Sequence, residues 1–166
     1  MKLNTDYDIE TLYRLYYNIV YRYVLLINFN KSEAEDIVQN TFLKAMSGLK
    51  NFRGDSNIKT WLLTIARNES IRYSAKQTSC SPFDELAEFA SSVSIEDIVC
   101  SKETTLFILS YIRECKEPKK SLLTLHLLYE MSFVEIGTIL NKSDTWCRVT
   151  FMRAKNDMIK RLEECS

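Results

Sequence analysis

The sequence predicts an all-α chain of two small helical domains, an N-terminal bundle and a C-terminal helix-turn-helix domain, joined by a flexible acidic linker. Three observations carry this. Apolar residues make up 46% of the 166 and recur at helical spacing, while three Gly and two Pro are too few for a β-rich or loop-rich protein. From Gln77 to Ser94 the period is lost among Ser79, Ser81, Pro82, Ser91, Ser92, Ser94 and a cluster of acids. From Ser132 to Lys155 the chain has the pattern of a helix, a residue tolerant of left-handed φ/ψ, and a second helix. The boundaries that follow are 1–76 for the first domain, 77–94 for the linker and 95–166 for the second domain.

The first helix is predicted over Asp6 to Ile27, where Ile9, Leu12, Tyr13, Tyr16, Ile19, Val20, Tyr23, Val24 and Ile27 step by threes and fours. The second is expected to open on a capping box, Ser32 with Glu35, and to bury Ile37, Val38, Phe42, Ala45, Met46 and Leu49. A loop, Asn51 to Asn57, precedes the third helix, Ile58 to about Lys76, which Ser56 or Asn57 can cap. Trp61, Leu62, Ile65 and Ala66 are its inward set. Ser94 can cap a fourth helix reaching about Cys115, and Pro118 suits the first turn of a fifth that carries Leu122, Leu123, Leu125, Leu127 and Leu128. The helix-turn-helix follows. Its first helix ends at Leu140, Asn141 makes the left-handed turn, and Ser143 caps the second helix. Cys147, Phe151, Ala154, Met158 and Leu162 form the inner stripe, and Trp146, Arg148, Val149, Met152 and Arg153 face outward. Gly137, on the first helix of the motif, is small where two helices would cross closely.

The net charge is zero, with 22 basic and 22 acidic residues, but the charges are segregated. Between Thr145 and Arg161, Arg148, Arg153, Lys155, Lys160 and Arg161 face Asp157 alone, a net of +4. Between Asn51 and Cys80, Arg53, Lys59, Arg67, Arg72 and Lys76 face Asp55 and Glu69, a net of +3. Ser81 to Ser101 holds five acids and no Lys or Arg. Two basic segments flanking an acidic one suit a protein that meets DNA phosphates in two places. Solvated helix faces produce similar runs, so the pattern supports without deciding. No run of 18 apolar residues and no signal-peptide core is present, which points to a cytoplasmic chain. Five scattered cysteines and His126 alone make neither a disulfide framework nor a zinc motif, and no cofactor is expected. With no paired catalytic carboxylates and no glycine-rich phosphate loop, an enzyme is the least favoured class.

Three phrases then define a resemblance: Ala34 to Ala45 (AEDIVQNTFLKA), Phe52 to Ser56 (FRGDS) and Lys59 to Asn68 (KTWLLTIARN). With the helix-turn-helix ending in Arg153-Ala154-Lys155, they make the chain resemble a group IV, or extracytoplasmic function (ECF), sigma factor of bacterial RNA polymerase, in the sigma-70 family. The resemblance covers nearly everything but the linker. It implies binding to core RNA polymerase, recognition of two promoter DNA elements, and an inhibitory partner, a membrane-anchored anti-sigma factor.

By that resemblance Glu35, Asp36, Gln39, Asn40 and Leu43 form the polymerase-docking face. Phe52, Arg53, Gly54, Asp55 and Ser56, with Asn68, form the pocket for a flipped base of the −10 element, and Lys59, Arg67 and Arg72 hold the single strand. Trp61 invites a role in melting, yet its place in the apolar stripe favours the core, and Phe52 can serve to staple the loop. Arg148, Val149, Met152 and Arg153 are the candidates for reading the −35 element, and Lys142, Trp146 and Lys155 for phosphate contacts. Lys142 and Trp146 depart from the family pattern, and Val149 offers a base only apolar contact. The alternative is a stand-alone helix-turn-helix regulator binding duplex DNA as a dimer.

Overall fold

The computed structural model describes residues 8–75 and 102–164. The chain divides into two compact units, Met1–Cys80 and Ser81–Ser166. All regular structure among the described residues is helical.

In the first unit α1 is Ile9–Asn28, α2 is Lys31–Gly48 and α3 is Ile58–Ser74, with one turn of 3₁₀-helix at Leu49–Asn51. Each helix packs on the other two. Leu12, Val20, Tyr23, Val24, Leu26 and Ile27 of α1 meet Ala34, Ile37, Val38, Phe42 and Ala45 of α2 and Ile58, Leu62, Leu63 and Ala66 of α3 in a dry core. The expected stripes largely supply it. Met46 is the exception on α2: it is half exposed, while Ala45 beside it is fully buried.

The start of α2 differs from the expected capping box. Phe29 ends α1 in a left-handed conformation, φ 53°, and sends its N–H to the Leu25 carbonyl. Asn30 is then the first extended residue, and its side chain accepts the Glu33 N–H at 3.1 Å. Asn30 is therefore the N-cap, and Ser32 lies inside the helix. At α3 the cap is Asn57, which accepts from the Lys59 N–H at 3.0 Å.

In the second unit the expected start at Ser94 and the linker 77–94 lie outside the described residues. The described helices are α4, Lys102–Glu114, α5, Lys119–Tyr129, α6, Phe133–Leu140, and α7, Asp144–Glu164. Tyr111, Ile112, Leu123, Ala154 and Met158 form one buried cluster, which Phe107, Ile108, Cys115, Leu127 and Phe151 border. Pro118 precedes α5 as its N-cap, one residue earlier than its expected place inside the first turn. Leu162 does not join the inner stripe. One turn beyond Met158, Leu162 is 38% exposed.

A cluster of charges around a ring holds α4, α5 and α7 together. The Tyr111 hydroxyl donates to Asp157 at 2.7 Å and accepts from the Lys119 ammonium at 2.9 Å. Arg161 lies over the same ring, 4.9 Å from its centroid, and reaches Glu114 at 2.8 Å. The Tyr111 hydrogen bond, with Arg161 and Lys119 close by, holds the Asp157 carboxyl below its ordinary range.

Candidate polymerase and nucleic-acid interfaces

On α2 the side chains buried at Ala34, Ile37, Val38, Thr41, Phe42 and Ala45 leave the opposite face to solvent. Glu35, Asp36, Gln39, Asn40 and Leu43 all stand on it, and Leu43 is 58% exposed. Leu43 thus puts an exposed apolar side chain amid acids and amides. Two features beside this face were not anticipated from the sequence. The Tyr73 hydroxyl of α3 donates to Asp36 at 3.4 Å. A ladder of rings along α1, Tyr13 to Tyr17 at 5.0 Å and Tyr17 to Tyr21 at 5.9 Å, borders Glu35. Partial burial first, and the Glu35 charge with it, push the Tyr17 and Tyr21 hydroxyls up from their ordinary values.

The loop after α2 is built around Gly54, whose φ of 74° is one that L side chains rarely adopt. Arg53, Gly54 and Asp55 are exposed at its tip, and Ser56 is half-buried. Phe52 and Trp61 pack ring against ring at 5.0 Å, and both are half-buried. Trp61 also lies against Gly48, where a Cβ would stand 3.2 Å from the indole. Trp61 thus ties the loop to the end of α2 from a half-buried place at the edge of the core. Lys59 and Arg67 are half-buried on α3, and Asn68 and Arg72 are exposed. Ten residues of helix, about 15 Å of rise, separate Ile58 from Asn68. Arg72 is paired with Glu69 at 3.3 Å, and Glu69 also bonds Lys44 of α2. The sequence shows Arg72 as a basic residue, and only the fold shows that its charge is shared with a carboxylate.

In the second unit the helix-turn-helix forms as expected. Asn141 adopts φ 53° and ψ 49°, and the Trp146 N–H reaches the Ser143 hydroxyl at 3.1 Å. The reason for Gly137 differs from a crossing of helices. A Cβ there would stand 2.7 Å from the Lys142 carbonyl, so the turn itself lies against this position. The N–H groups of Asn141 and Lys142 both point to the Gly137 carbonyl. The capping box expected on α2 occurs instead at α6. The Ser132 N–H donates to the Glu135 carboxylate at 2.9 Å, and the Glu135 N–H returns to the Ser132 hydroxyl at 3.3 Å.

Cys147, Ala154 and Met158 turn inward on α7, and Arg148, Val149, Met152, Arg153 and Lys155 are exposed. Val149 and Met152 are 43% and 52% exposed, so the outer face pairs apolar contact surface with two guanidinium groups. Lys142 stands 5.5 Å over the half-buried Trp146 ring. Arg148 bonds Asp144 through Nε at 3.0 Å and lies 5.5 Å over the Phe133 ring. Neither partner was read as functional from the sequence. The Asp144/Arg148 spacing of four was the signal available. Behind them His126 stacks on Phe133 at 4.3 Å, and its Nδ1 is 3.0 Å from the Met131 carbonyl. A carbonyl only accepts, so that nitrogen carries the proton.

Among the described residues no group of three or more His, Cys, Asp or Glu side chains is placed to hold a metal ion. No described helix is long and apolar enough to cross a membrane. Burial raises the thiols of Cys115 and Cys147 above their ordinary values, as befits packed side chains.

The first unit thus carries an exposed acidic-apolar helix face and the second a helix-turn-helix. The family model for Sigma-70 region 2 matches residues 9–80. The RNA polymerase sigma factor YlaC of Bacillus subtilis is 30% identical over 93% of this chain and 92% of its own length. The ECF RNA polymerase sigma factor SigM of the same organism is 28% identical, covering 89% of this chain and 90% of the relative. The sigma factor RpoE solved with the anti-sigma factor NepR from Bartonella quintana has the same fold, with a TM-score of 0.70 at 20% identity over 94% of this chain and 97% of that one. CnrH, solved with the cytosolic domain of CnrY, matches with a TM-score of 0.70 at 18% identity over 95% of this chain and 89% of that one. The chain belongs to the ECF sigma factors of RNA polymerase, within the sigma-70 family. Matches that run nearly end to end speak for that reading and not for a stand-alone regulator.

Proposed function

We propose that this sigma factor docks on core RNA polymerase through Glu35, Asp36, Gln39, Asn40 and Leu43. The observation that carries this is the division of α2, which buries Ala34, Ile37, Val38, Thr41, Phe42 and Ala45 while these five side chains stand together on its exposed face. The loop Phe52 to Ser56 captures an unstacked base of the −10 element, and the strand then runs along α3 past Lys59, Arg67, Asn68 and Arg72. Stacking and backbone contacts offset the few kcal/mol that unstacking costs. Trp61 braces the loop rather than entering the DNA. In the second unit α7 enters the major groove at the −35 element. Arg148 and Arg153 supply hydrogen bonds to base edges, Val149 and Met152 supply apolar contact, and Lys142, Trp146 and Lys155 set register on the backbone.

The chain does no covalent chemistry in this reading; it works in the cytoplasm as the promoter-reading subunit of the enzyme. A membrane-anchored anti-sigma factor that covers its docking face would hold it inactive. Selection of a randomised duplex library by the chain bound to core polymerase tests the division of labour. Two separated elements are expected, with Asn68→Ala relaxing the downstream one and Arg153→Ala the upstream one. A single palindromic site selected by the chain without core would overturn it.

A further inference from the structure

We propose that Asp144 is a specificity-determining positioning residue, which fixes Arg148 for base reading and keeps it off the phosphates. The proposal rests on the reading of α7 as the helix that enters the major groove. Arg148, on the outer face, has its guanidinium in contact with groups on two sides. Its Nε donates to Asp144 Oδ1 at 3.0 Å, one turn earlier on the same helix. Its guanidinium carbon stands 5.5 Å over the ring of Phe133, which belongs to α6. That ring is itself held. His126 stacks on it at 4.3 Å with the planes 24° apart, and Phe151 packs against it at 5.6 Å. His126 in turn meets Phe151 edge-on at 4.4 Å and bonds the Met131 carbonyl. The guanidinium thus meets a packed ring on one side and the 41% exposed Asp144 carboxylate on the other, while the Arg148 side chain is itself 61% exposed.

The choice of nitrogen matters. A guanidinium has five N–H donors in a fixed plane, and a guanine presents O6 and N7 side by side in the major groove. Because Asp144 engages Nε–H, the bond leaves the two Nη groups to act as a pair matched to those two acceptors. Without the carboxylate, an exposed arginine beside DNA swings to the nearest phosphate, where it adds affinity and no sequence information. Asp144 also places a negative charge at the start of α7, which disfavours a phosphate at that point. The pair therefore exchanges general affinity for discrimination at one base pair.

The test is selection of a randomised −35 duplex library by core polymerase carrying the wild-type chain, Asp144→Ala, Asp144→Asn or Arg148→Ala, followed by binding at several salt concentrations. The wild type is expected to prefer guanine at one position by about thirtyfold, the middle of the range for one bidentate contact. Asp144→Ala should lose that preference at that position alone, keep or raise total DNA affinity, and show a salt dependence at least as steep as wild type. Asp144→Asn retains an acceptor for Nε and should recover part of the preference. Arg148→Ala should lose the same position and bind more weakly. If Arg148→Ala changes the preference and Asp144→Ala does not, Asp144 has no such role and the groove reading stands. If Arg148→Ala leaves every position unchanged, Arg148 does not read DNA, and the proposal falls with that reading. Uniform relaxation at all positions in Asp144→Ala, with a lowered melting temperature, would mark a merely structural residue and overturn the proposal.

Discussion

Gly137→Ala puts the geometry of the helix-turn-helix to a quantitative test. The added Cβ would stand 2.7 Å from the Lys142 carbonyl oxygen, closer than real Cβ contacts come. No rotamer relieves it, because the neighbour is backbone. Nor is that backbone easily moved, since the Asn141 and Lys142 N–H groups are both bonded to the Gly137 carbonyl. Overpacking of this kind costs about 1–3 kcal/mol. Alanine in place of glycine inside a helix returns about 1 kcal/mol. With the clash near the middle of its range, a net loss of about 1 kcal/mol remains, or about 4–8 °C in melting temperature for a domain of this size. The two tryptophans fall one in each unit, Trp61 and Trp146, so fluorescence in a Trp61→Phe background follows the second unit alone. The turn must shift to accommodate the methyl, and binding to −35 DNA by the reconstituted enzyme should weaken while core binding is kept. A variant as stable as wild type or more so, with unchanged DNA binding, would show that helix propensity outweighs the contact and that the turn is looser than described.

Two further predictions concern a cap and a carboxylate. Asn30→Ala should cost about 1 kcal/mol in urea unfolding of the first unit, and Ser32→Ala should stay within about 0.5 kcal/mol, because Asn30 takes the Glu33 N–H; the reverse order would restore the capping box to Ser32. Asp157 has a folded pKa lowered chiefly by the Tyr111 hydrogen bond. Its stabilisation is therefore present above the unfolded value, about 3.9, and is lost as pH falls through the folded one. Asp157→Asn should lower stability at neutral pH and flatten the loss of stability below about pH 4, followed by Trp146 fluorescence; an acid limb as steep as that of wild type would exclude Asp157 as its source.

The helices and the turn were legible because they depend on local chemistry. Periodicity marks which side of a helix is apolar, and Asn141 is a residue that tolerates the left-handed conformation the turn requires. Misreadings arose where the outcome depends on what lies next to a residue. Ser32–Glu35 and Ser132–Glu135 have the same spacing, yet only the second forms a capping box. Phe29 ends α1 with a left-handed residue, which no propensity favours, and this places Asn30 at the cap before Ser32 is reached. Met46 and Leu162 continue the expected spacing of their stripes yet are 51% and 38% exposed, and periodicity does not report how far a buried stripe extends around its helix. On the candidate surfaces the exposed residues were legible from the faces they occupy. Their partners were legible only in part. Asp144 four residues before Arg148 and Glu69 three before Arg72 left a local signal in their spacing, whereas Tyr73 on Asp36 and Lys44 on Glu69 emerge only when side chains are placed in space.

The most direct test of the docking face is binding of the purified chain to core RNA polymerase, wild type against the triple variant Glu35→Ala, Asp36→Ala and Gln39→Ala. All three side chains are exposed, so the variant should keep the melting temperature of wild type within a few degrees. The account predicts tight binding by wild type and its loss in the variant, with the fold intact by circular dichroism. Equal binding of both proteins to core would contradict it, as would a wild-type chain that ignores core and binds duplex DNA alone.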